Sequence, residues 1–192
     1  MSLACGVVGT RRALIGLGAN LPYEGRAPSQ TLKVALHALE ATPGIHVLSC
    51  SSLWNSKPVM AEGPHFINAA TEIETVLDPE SLLEALLQIE ARFGRHRPQG
   101  VPHGQPAPSP ARTLDLDLIW MDGLALSLPH LTLPHPRAAS RAFVLAPLAE
   151  LRPGLCLETG PEAKTIEVLL SEALREDPSA VSRIESEHVV AA

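Results

Sequence analysis

The sequence is short of aromatic residues, of long apolar runs and of basic charge. Only 3% of its 192 residues are aromatic although 45% are hydrophobic, so its core must consist mainly of aliphatic side chains. No apolar run approaches the ~18–20 residues that a membrane-spanning helix needs, and the first residues lack the charge order of a signal peptide. These shortages exclude a membrane protein, and we expect one globular domain.

The charge balance excludes a second class of protein. The formal net charge is −6, and no long basic run is present, which argues against binding to nucleic acid through its phosphates. Cys5, Cys50 and Cys156 are widely spaced and form no CxxC pair, so they predict neither a metal cluster nor a redox site. Reduced thiols are typical of the cytoplasm, where we expect this protein to be.

Hydrophobic periodicity predicts alternating strands and helices up to residue 121. That order, strand–helix–strand–strand–helix–strand, is the ferredoxin-like βαββαβ arrangement. We therefore predict an α+β fold in which a mostly antiparallel sheet is flanked by helices. The predicted elements are strands at 13–17, 45–54, 66–77 and 114–121, a helix capped by Ser29 and stopped at Pro43, and a helix from Asp78 to Gly94.

The remaining residues predict additions to this core. Asp122-Gly123 is a tight-turn signal, and a short strand at 124–128 is expected to pair back on the strand before it. Two helices follow, the first beginning near Arg137 and interrupted near Pro147, and the second an amphipathic helix at 165–175. The hairpin and the two helices therefore extend the core towards the carboxyl terminus.

The ends of the chain and one internal segment lack regular patterns. We place a single domain at 13–175 and expect the extensions at 1–12 and 176–192 to be poorly ordered. The segment at 95–112 has five prolines, two glycines and no apolar periodicity. Because so long a loop within a compact domain usually has a function, its residues are candidates for a binding site.

Asp115 and Asp117 give the sharpest chemical signal. Residues two apart in a strand point to the same face, roughly 6.5–7 Å apart, so Leu114, Leu116 and Leu118 would point to the opposite, buried face. Two carboxylates so placed can reach a magnesium pair about 3.5–4 Å apart, and magnesium prefers such oxygen ligands. The alternative is a solvated acidic face on an edge strand, but the strongly apolar strand around the pair favours the metal site.

Arginines bracket the proline-rich segment. Arg95 and Arg97 open it, and Arg112 closes it, just before the two aspartates. Guanidinium groups stabilise the charge that phosphoryl transfer spreads over oxygens, and a loop that carries them could close over ATP. Solubilising surface arginines are the alternative, and composition alone does not separate the two interpretations.

Other residues could contact a phosphate or a flat ligand with polar edges, although each also has an ordinary structural role as an alternative. An amide can read a heterocycle edge or bind backbone, and a phenylalanine can stack on a ligand or pack in the core. These residues are Gly18 and Asn20 after the first strand, Phe66 and Asn68 in an apolar strand, Phe143, and His135 between two prolines.

Five segments, read together, resemble one known family. In order they are LIGLGANL, PHFINAATEIET, LLQIEARFGRHR, ARTLDLDLIW and LPHPRAASRAFVLAPLAEL, over about residues 14–153. They are similar to 6-hydroxymethyl-7,8-dihydropterin pyrophosphokinase of folate biosynthesis. The resemblance implies an ATP- and magnesium-dependent enzyme that moves the β,γ-pyrophosphoryl group of ATP to the hydroxymethyl group of the reduced pterin, leaving AMP.

The resemblance also implies roles for individual residues. Asp115 and Asp117 would bind two magnesium ions, and Arg95 and Arg112 would be catalytic residues that engage the phosphates. The implied ATP-binding residues are Glu90, Arg97, Leu118, His135 and Arg141. The implied pterin-binding residues are Gly18, Asn20, Ser56, Pro58, Val59, Phe66, Asn68 and Phe143.

Three positions depart from the pattern of that family. Ser109-Pro110-Ala111 stands where many relatives have an aromatic residue in a Trp-Gly-Pro run, and the loop is longer here. Phe66 stands where tyrosine is frequent, which keeps the stacking ring but removes a hydroxyl. Lys57 stands where a second proline is common. No residue stands out as a general base for the pterin hydroxyl.

Two other functions fit parts of the sequence. A palm-like nucleotidyltransferase also places paired aspartates on a ferredoxin-like sheet, but it needs a basic channel that a net charge of −6 does not offer. The second is a non-catalytic domain that binds a small ligand, in which Asp115→Ala would leave ligand affinity and any activity unchanged. For the pyrophosphokinase we expect a monomer whose partners are ATP and the pterin, with neither nucleic acid nor membrane.

Overall fold

The computed structural model of the chain describes residues 9–58, 63–95, 111–158 and 160–188. Two predicted site residues, Val59 and Arg97, lie outside these ranges. Within the described ranges, no helix is both long and apolar enough to cross a membrane. The elements of the first part of the chain are β1 (Arg11–Ala19), α1 (Pro28–Glu40), β2 (Ile45–Cys50), β3 (Ser52–Ser56), β4 (Phe66–Thr75), α2 (Pro79–Arg92) and β5 (Asp115–Met121).

The second part of the chain adds shorter elements to this core. One short strand and the helices that follow β5 were expected from the sequence, whereas β7 and the last strand were not. These elements are β6 (Leu126–Ser127), β7 (Thr132–Leu133), a single 3-10 turn (Ala138–Ser140), α3 (Ala142–Leu151), α4 (Ile166–Glu176) and β8 (Val181–His188).

The main sheet has the strand order β5-β1-β4-β3-β8, with β2 also paired to β4. Every pairing is antiparallel. The predicted strand at 45–54 is divided at Ser51, whose hydroxyl accepts a hydrogen bond from the backbone N–H of Ala70 (2.9 Å). With β2 and β3 counted as one divided strand, the order matches the predicted ferredoxin-like core, and the α+β fold is confirmed.

Each face of the sheet packs against its own pair of helices. On one face, Leu17 and Leu116 belong to a large core with residues of α1 and α2. On the other face, Leu14 and Ile119 pack in a smaller core with residues of α3 and α4, among them Leu145. Because side chains alternate along a strand, Asp115 and Asp117 of β5 lie on this second face. They occupy the end of β5 that is farther from the smaller core.

The start of α2 confirms the sequence interpretation, whereas the start of α1 differs from it. Asp78 caps α2 by accepting hydrogen bonds from the N–H groups of Glu80 and Ser81, both at 3.0 Å. In α1 the capping residue is Ala27, not Ser29. Pro28 takes the first helical position, where its fixed φ suits the helix, so Ser29 lies one residue inside the first turn.

Two expectations about the segment after β5 were wrong. The short strand there does not pair back on β5, because β6 pairs with β7 across the turn at Pro129 and His130 in a separate two-stranded sheet. The helix after the 3-10 turn is not interrupted at Pro147 but continues to Leu151. Leu145 and Leu148 are fully buried on either side of this proline, and such packing outweighs one missing hydrogen bond.

The expectation of poor order after residue 176 was wrong for 181–188, which form β8 on the outer edge of β3. An edge strand presents unpaired N–H and C=O groups, and β8 pairs with these groups on the outer edge of β3. At the amino terminus, Arg11 and Arg12 likewise belong to β1 and not to a disordered extension.

Candidate active site

Two carboxylates and two glycines face each other across the pair of strands β1 and β5. Asp115 lies opposite Gly18, and Asp117 lies opposite Gly16. A Cβ atom added to Gly18 would lie 3.8 Å from the Cβ of Asp115 and 3.5 Å from Oδ1 of Asn68 on β4. Gly18 is buried and has no side chain, so it forms a strip of backbone in close contact with the acidic strand on one side and the amide-bearing strand on the other.

A cluster of ion pairs surrounds Asp115. Arg95 donates hydrogen bonds to the carboxylates of both Asp115 and Glu90, and Arg112 donates to the other oxygen of Asp115. Glu90 is 1% exposed, and its Oε1 also accepts a hydrogen bond from the N–H of Leu116 (2.8 Å). Glu90 thus connects α2 to β5 and at the same time holds Arg95 beside the acidic pair.

The charges of this cluster shift the pKa values of its members. Burial disfavours the charge of Arg95, but the nearby carboxylates of Asp115 and Glu90 raise its pKa above the usual value. Burial raises the pKa of Asp117 to about 7, the negative charges of Asp115 and Glu90 add to this, and the positive charges of Arg95 and Arg112 only partly offset it. The site therefore has too little positive charge nearby to keep both aspartates ionised at neutral pH.

The residues present fit a divalent cation that binds together with phosphate oxygens. Asp115 and Asp117 are hard oxygen donors on one face of a strand, and added positive charge would stabilise the ionised form of Asp117. Within the described ranges, no three His, Cys, Asp or Glu side chains are grouped so that they could hold a metal. The protein thus offers two carboxylates, and a ligand would have to complete the coordination of the metal.

Two arginine–aromatic pairs occur near the strip. The guanidinium carbon of Arg112 lies 5.8 Å from the ring centroid of Phe66 on β4. That of Arg141, the residue at which α3 begins, lies 5.5 Å from the ring centroid of Phe143. Burial and then the nearby charge of Arg137 lower the pKa of Arg141. These positions form a positively charged border with aromatic faces around the acidic pair.

The amide of Asn68 is held by the neighbouring strand β3. Its Nδ2 donates to the hydroxyl oxygen of Ser56 (2.9 Å) and to the carbonyl of Trp54 (3.4 Å). Asn68 and Ser56 are both 5% exposed. Pro58 follows Ser56 at the end of a described range. The polar groups on this side of the strip are neutral and already hydrogen-bonded.

Asn20 connects the two sides through its own amide. Its Oδ1 accepts a hydrogen bond from the backbone N–H of Arg112 (2.7 Å), and its Nδ2 donates to the carbonyl of Pro64 (3.1 Å). The N–H groups of Asn20 and Leu21 both donate to the carbonyl of Arg112 (3.0 and 3.1 Å). Asn20 therefore holds the chain leading into Arg112 and the chain leading into Phe66 in fixed relation.

A cavity opens between β5, α2 and the turn that joins β6 to β7. Leu118 and His135, both predicted site residues, are among the residues that line it. The N–H of His135 donates to the carbonyl of Ile119 (2.8 Å), which fixes the turn after β7 against β5. The sequence did not predict the other lining residues, which are Leu83, Leu128, Pro129, His130, Leu131, Thr132 and Pro136.

Arg137 was also missed as a candidate. Its backbone N–H donates to Nδ1 of His135 (3.3 Å), and its Nε is buried with no hydrogen-bond partner among the described residues. Because a buried donor without a partner is costly, this guanidinium is suited to an anionic ligand. The LPHPR segment contained a signal for it, since Arg137 directly follows the two prolines that flank His135.

Comparison with known proteins decides the family. Residues 14–153 match the family model described as 7,8-dihydro-6-hydroxymethylpterin-pyrophosphokinase (HPPK). The chain belongs to the HPPK family.

Curated members of the HPPK family are similar over most of this chain. The 2-amino-4-hydroxy-6-hydroxymethyldihydropteridine pyrophosphokinase of Methylorubrum extorquens is 36% identical over 91% of this chain and 99% of its own length. The protein of the same name from Pseudomonas aeruginosa is 38% identical over 78% of this chain and 86% of its own. The resemblance drawn from the sequence motifs is therefore confirmed.

A solved structure supports the fold of this HPPK family member. The HPPK-DHPS protein of Plasmodium falciparum superposes with a TM-score of 0.66 at 14% identity and covers 93% of this chain. This chain spans about half of the length of that protein (50%). At so low an identity the likeness concerns the fold alone.

Proposed function

We propose that this protein transfers the pyrophosphoryl group of ATP to the hydroxymethyl group of 6-hydroxymethyl-7,8-dihydropterin. The products are AMP and the pterin diphosphate, and the step belongs to folate biosynthesis. Family membership and the names of the relatives support the reaction. The single observation that carries it is the position of Gly18 on β1, between the acidic pair on β5 and the amide of Asn68 on β4.

The acidic side of the strip is where the phosphates of ATP would bind. Asp115 and Asp117 would hold two magnesium ions, and the chemistry supplied by bound magnesium is neutralisation of charge on the phosphate oxygens. Arg95 and Arg112 are already oriented towards this point by their bonds to Asp115. Each guanidinium has five N–H donors, so it can bind a phosphate oxygen while it remains paired to the carboxylate.

The rest of the nucleotide would extend into the cavity between β5, α2 and the turn that joins β6 to β7. Leu118 and His135 would contact it there, together with the newly assigned Leu131 and Thr132. Aliphatic side chains with a few polar groups between them are typical of such pockets. Arg141 and Arg137 would contribute positive charge at the mouth of the cavity, and Arg97 would add to it from the segment outside the described ranges. Glu90 would act indirectly by holding Arg95.

The pterin would bind on the neutral side of the strip. A flat ring with polar edges is selected by stacking and by edge hydrogen bonds, which the rings of Phe66 and Phe143 and the amide of Asn68 could supply. Gly18 would leave room for the ring. Backbone groups near Ser56, Pro58 and Val59 would bind the rest of its edge, and Asn20 would support this side through Pro64.

Catalysis would consist mainly of positioning and charge stabilisation. The bond from the pterin hydroxymethyl oxygen to the β-phosphorus of ATP would form as the bond from that phosphorus to the oxygen bridging the α- and β-phosphates breaks. In-line placement of the two substrates and stabilisation of the spread negative charge by Arg95 and Arg112 would lower the barrier. We assign no side chain as the general base.

We further propose that the protein is a cytoplasmic monomer. Cys50 and Cys156 are free thiols, which suits a reducing compartment. Size-exclusion chromatography with light scattering tests the oligomeric state, since a monomer has a mass of 20.4 kDa. A stable mass of twice that value would contradict the proposal of a monomer.

The reaction is tested by mixing the protein with ATP, magnesium and hydroxymethyl-dihydropterin and separating the nucleotide products. We expect AMP that appears only when the pterin is present. The control lacks the pterin and measures background hydrolysis of ATP. ADP as the main nucleotide product would contradict a transfer of pyrophosphate, and pterin-independent hydrolysis would contradict the pterin as acceptor.

A further inference from the structure

The last strand of the chain lies outside the family match but inside the main sheet. The match ends at residue 153, whereas β8 begins at Val181. β8 runs antiparallel to β3, with Val181 opposite Ser56 and Arg183 opposite Trp54. Without β8, β3 would be the edge strand of the sheet beyond β4.

A carboxylate from α3 and an arginine from β8 meet on β3. Glu150 accepts hydrogen bonds from the backbone N–H of Ser52 (2.7 Å) and from Nε1 of Trp54 (3.1 Å). Arg183 donates to the hydroxyl oxygen of Ser52 (2.6 Å), and its Nε lies 3.4 Å from Oε1 of Glu150. Three elements that are distant in the chain are therefore joined at Ser52 and Trp54.

The same short strand holds the amide that faces Gly18. Asn68 donates to the Trp54 carbonyl and to the Ser56 hydroxyl, both on β3, and its Oδ1 is directed towards Gly18. β8 and Glu150 therefore hold the backbone of β3, which carries the two oxygens that accept hydrogen bonds from Asn68. A shift of β3 would rotate or release the Asn68 amide.

We propose that β8 is a positioning element for pterin recognition and that Arg183 is its positioning residue. Arg183 acts through Ser52 and Glu150 to hold β3, and β3 in turn holds Asn68 in the orientation that reads the pterin edge. The inference rests on the proposed function, since it assigns the pterin to this side of the strip. It predicts a selective effect on the pterin, because β1 and β4 lie between β3 and the strand β5 that carries the acidic pair.

The test compares Arg183→Ala with Arg175→Ala in the full chain. Arg175 is an exposed arginine of α4 whose side chain donates only to Ser171 among the described residues, so it controls for loss of charge. For Arg183→Ala we expect the KM for the pterin to rise about three- to tenfold, as loss of one good hydrogen bond or ion pair implies. The KM for ATP should stay within about twofold of wild type, as should both constants in Arg175→Ala.

A milder second variant keeps the test decisive if Arg183→Ala folds poorly. Ser52→Ala removes the hydroxyl that accepts from Arg183 but keeps the backbone N–H that donates to Glu150. It should raise the KM for the pterin in the same direction by a smaller factor. Thermal unfolding of each variant shows whether it is folded under the assay conditions.

The outcomes separate this inference from the proposed function. If wild type makes AMP and the folded variants keep the wild-type KM for the pterin, or raise both KM values equally, β8 does not position the pterin side. If wild type binds the pterin in calorimetry but makes no AMP, the proposed reaction is wrong. In that case the dissociation constant for the pterin tests the inference: a higher value in Arg183→Ala supports it, and an unchanged value contradicts it.

Discussion

The two sides of the candidate site are built from different interactions. On the β5 side, Asp115, Glu90 and Arg95 form ion pairs, and burial, with the neighbouring carboxylates, raises the pKa of Asp117 to about 7. On the β4 side, Asn68 makes neutral hydrogen bonds to Trp54 and Ser56. The β5 side is electrostatically incomplete until a charged ligand arrives, whereas the β4 side is already in its final hydrogen-bonded arrangement.

This contrast indicates that the two sides of the site are suited to different ligands. A site with excess carboxylate charge is suited to a ligand that brings cations, as magnesium-bound ATP does. A site of fixed, satisfied amides is suited to a neutral, rigid ligand, because little ordering remains to be done on binding. Variants on the two sides should therefore affect different kinetic constants.

The largest effect is expected at Asp117. Asp117→Asn removes one of two carboxylates on the phosphate side, and turnover should fall about a thousandfold or more. The dissociation constant for the pterin, measured by calorimetry, should change little, because the neutral side is intact. Asp122→Asn, an exposed aspartate just beyond the other end of β5, is the matched control and should be fully active. Substantial turnover by Asp117→Asn would remove the basis of the metal assignment.

The next largest effect is expected at Asn68 and should be confined to the pterin. Asn68→Ala removes the amide from the neutral side, and the KM for the pterin should rise about tenfold or more. The KM for ATP should remain near the wild-type value in the same steady-state assay. Asn55→Ala changes a neighbouring amide that bonds His65 and provides the control. Equal changes in both KM values would contradict the proposal that the two sides bind different substrates.

A third variant tests the chain that leads into Arg95. Gly94 has a φ of +76°, and a Cβ there would lie 2.6 Å from Cε2 of Tyr23. Gly94→Ala should lower the free energy of unfolding by about 1–3 kcal/mol and should reduce turnover more than pterin binding. Gly154→Ala, where a Cβ meets nothing within 4 Å, should show neither effect. Unfolding in urea measures the first quantity.

The smallest expected effect is a dependence of stability on pH without divalent cations. The folded pKa of Asp117 is about 7, above the ordinary value of 3.8, so the native state binds the extra proton between these values. Stability from this group is therefore fully present below about pH 4 and is lost as pH rises through 7. Wild type should lose about 2–4 °C of Tm relative to Asp117→Asn between pH 6 and 7.

If the difference in Tm between the two proteins is the same across this pH range, the pKa of Asp117 is not raised by burial and the neighbouring carboxylates. Addition of magnesium and ATP should reduce the pH dependence of wild type, because the bound cations favour ionised Asp117. Asp122→Asn again serves as the control. This measurement examines the charge excess on the β5 side independently of turnover.

Much of the fold and part of the site could be predicted from local patterns. The alternation of Leu and Asp in β5 placed Asp115 and Asp117 on one face, and Asp78 followed by Pro79 marked the start of α2. Such signals lie within a few neighbouring residues, so the sequence displays them directly. The residues implied by the family resemblance, from Gly18 to Phe143, remain proposals for their roles.

Other features depend on contacts between distant parts of the chain. β8 is polar and has no clear alternation, and it becomes a strand because β3 offers it an open edge. The role of Asn20 is set by Arg112 and Pro64, which are 92 and 44 residues away. Leu131 resembles any core leucine in the sequence, and only the turn between β6 and β7 shows that it lines the same cavity as Leu118.

The central claim is that both terminal phosphates of ATP move together onto the pterin. ATP labelled with ³²P at the β-phosphate should be mixed with the protein, magnesium and hydroxymethyl-dihydropterin, and the products separated by chromatography. We expect the label in the pterin diphosphate, with AMP formed in equal amount. Label found in ADP or in free pyrophosphate, with none on the pterin, would contradict the proposed reaction.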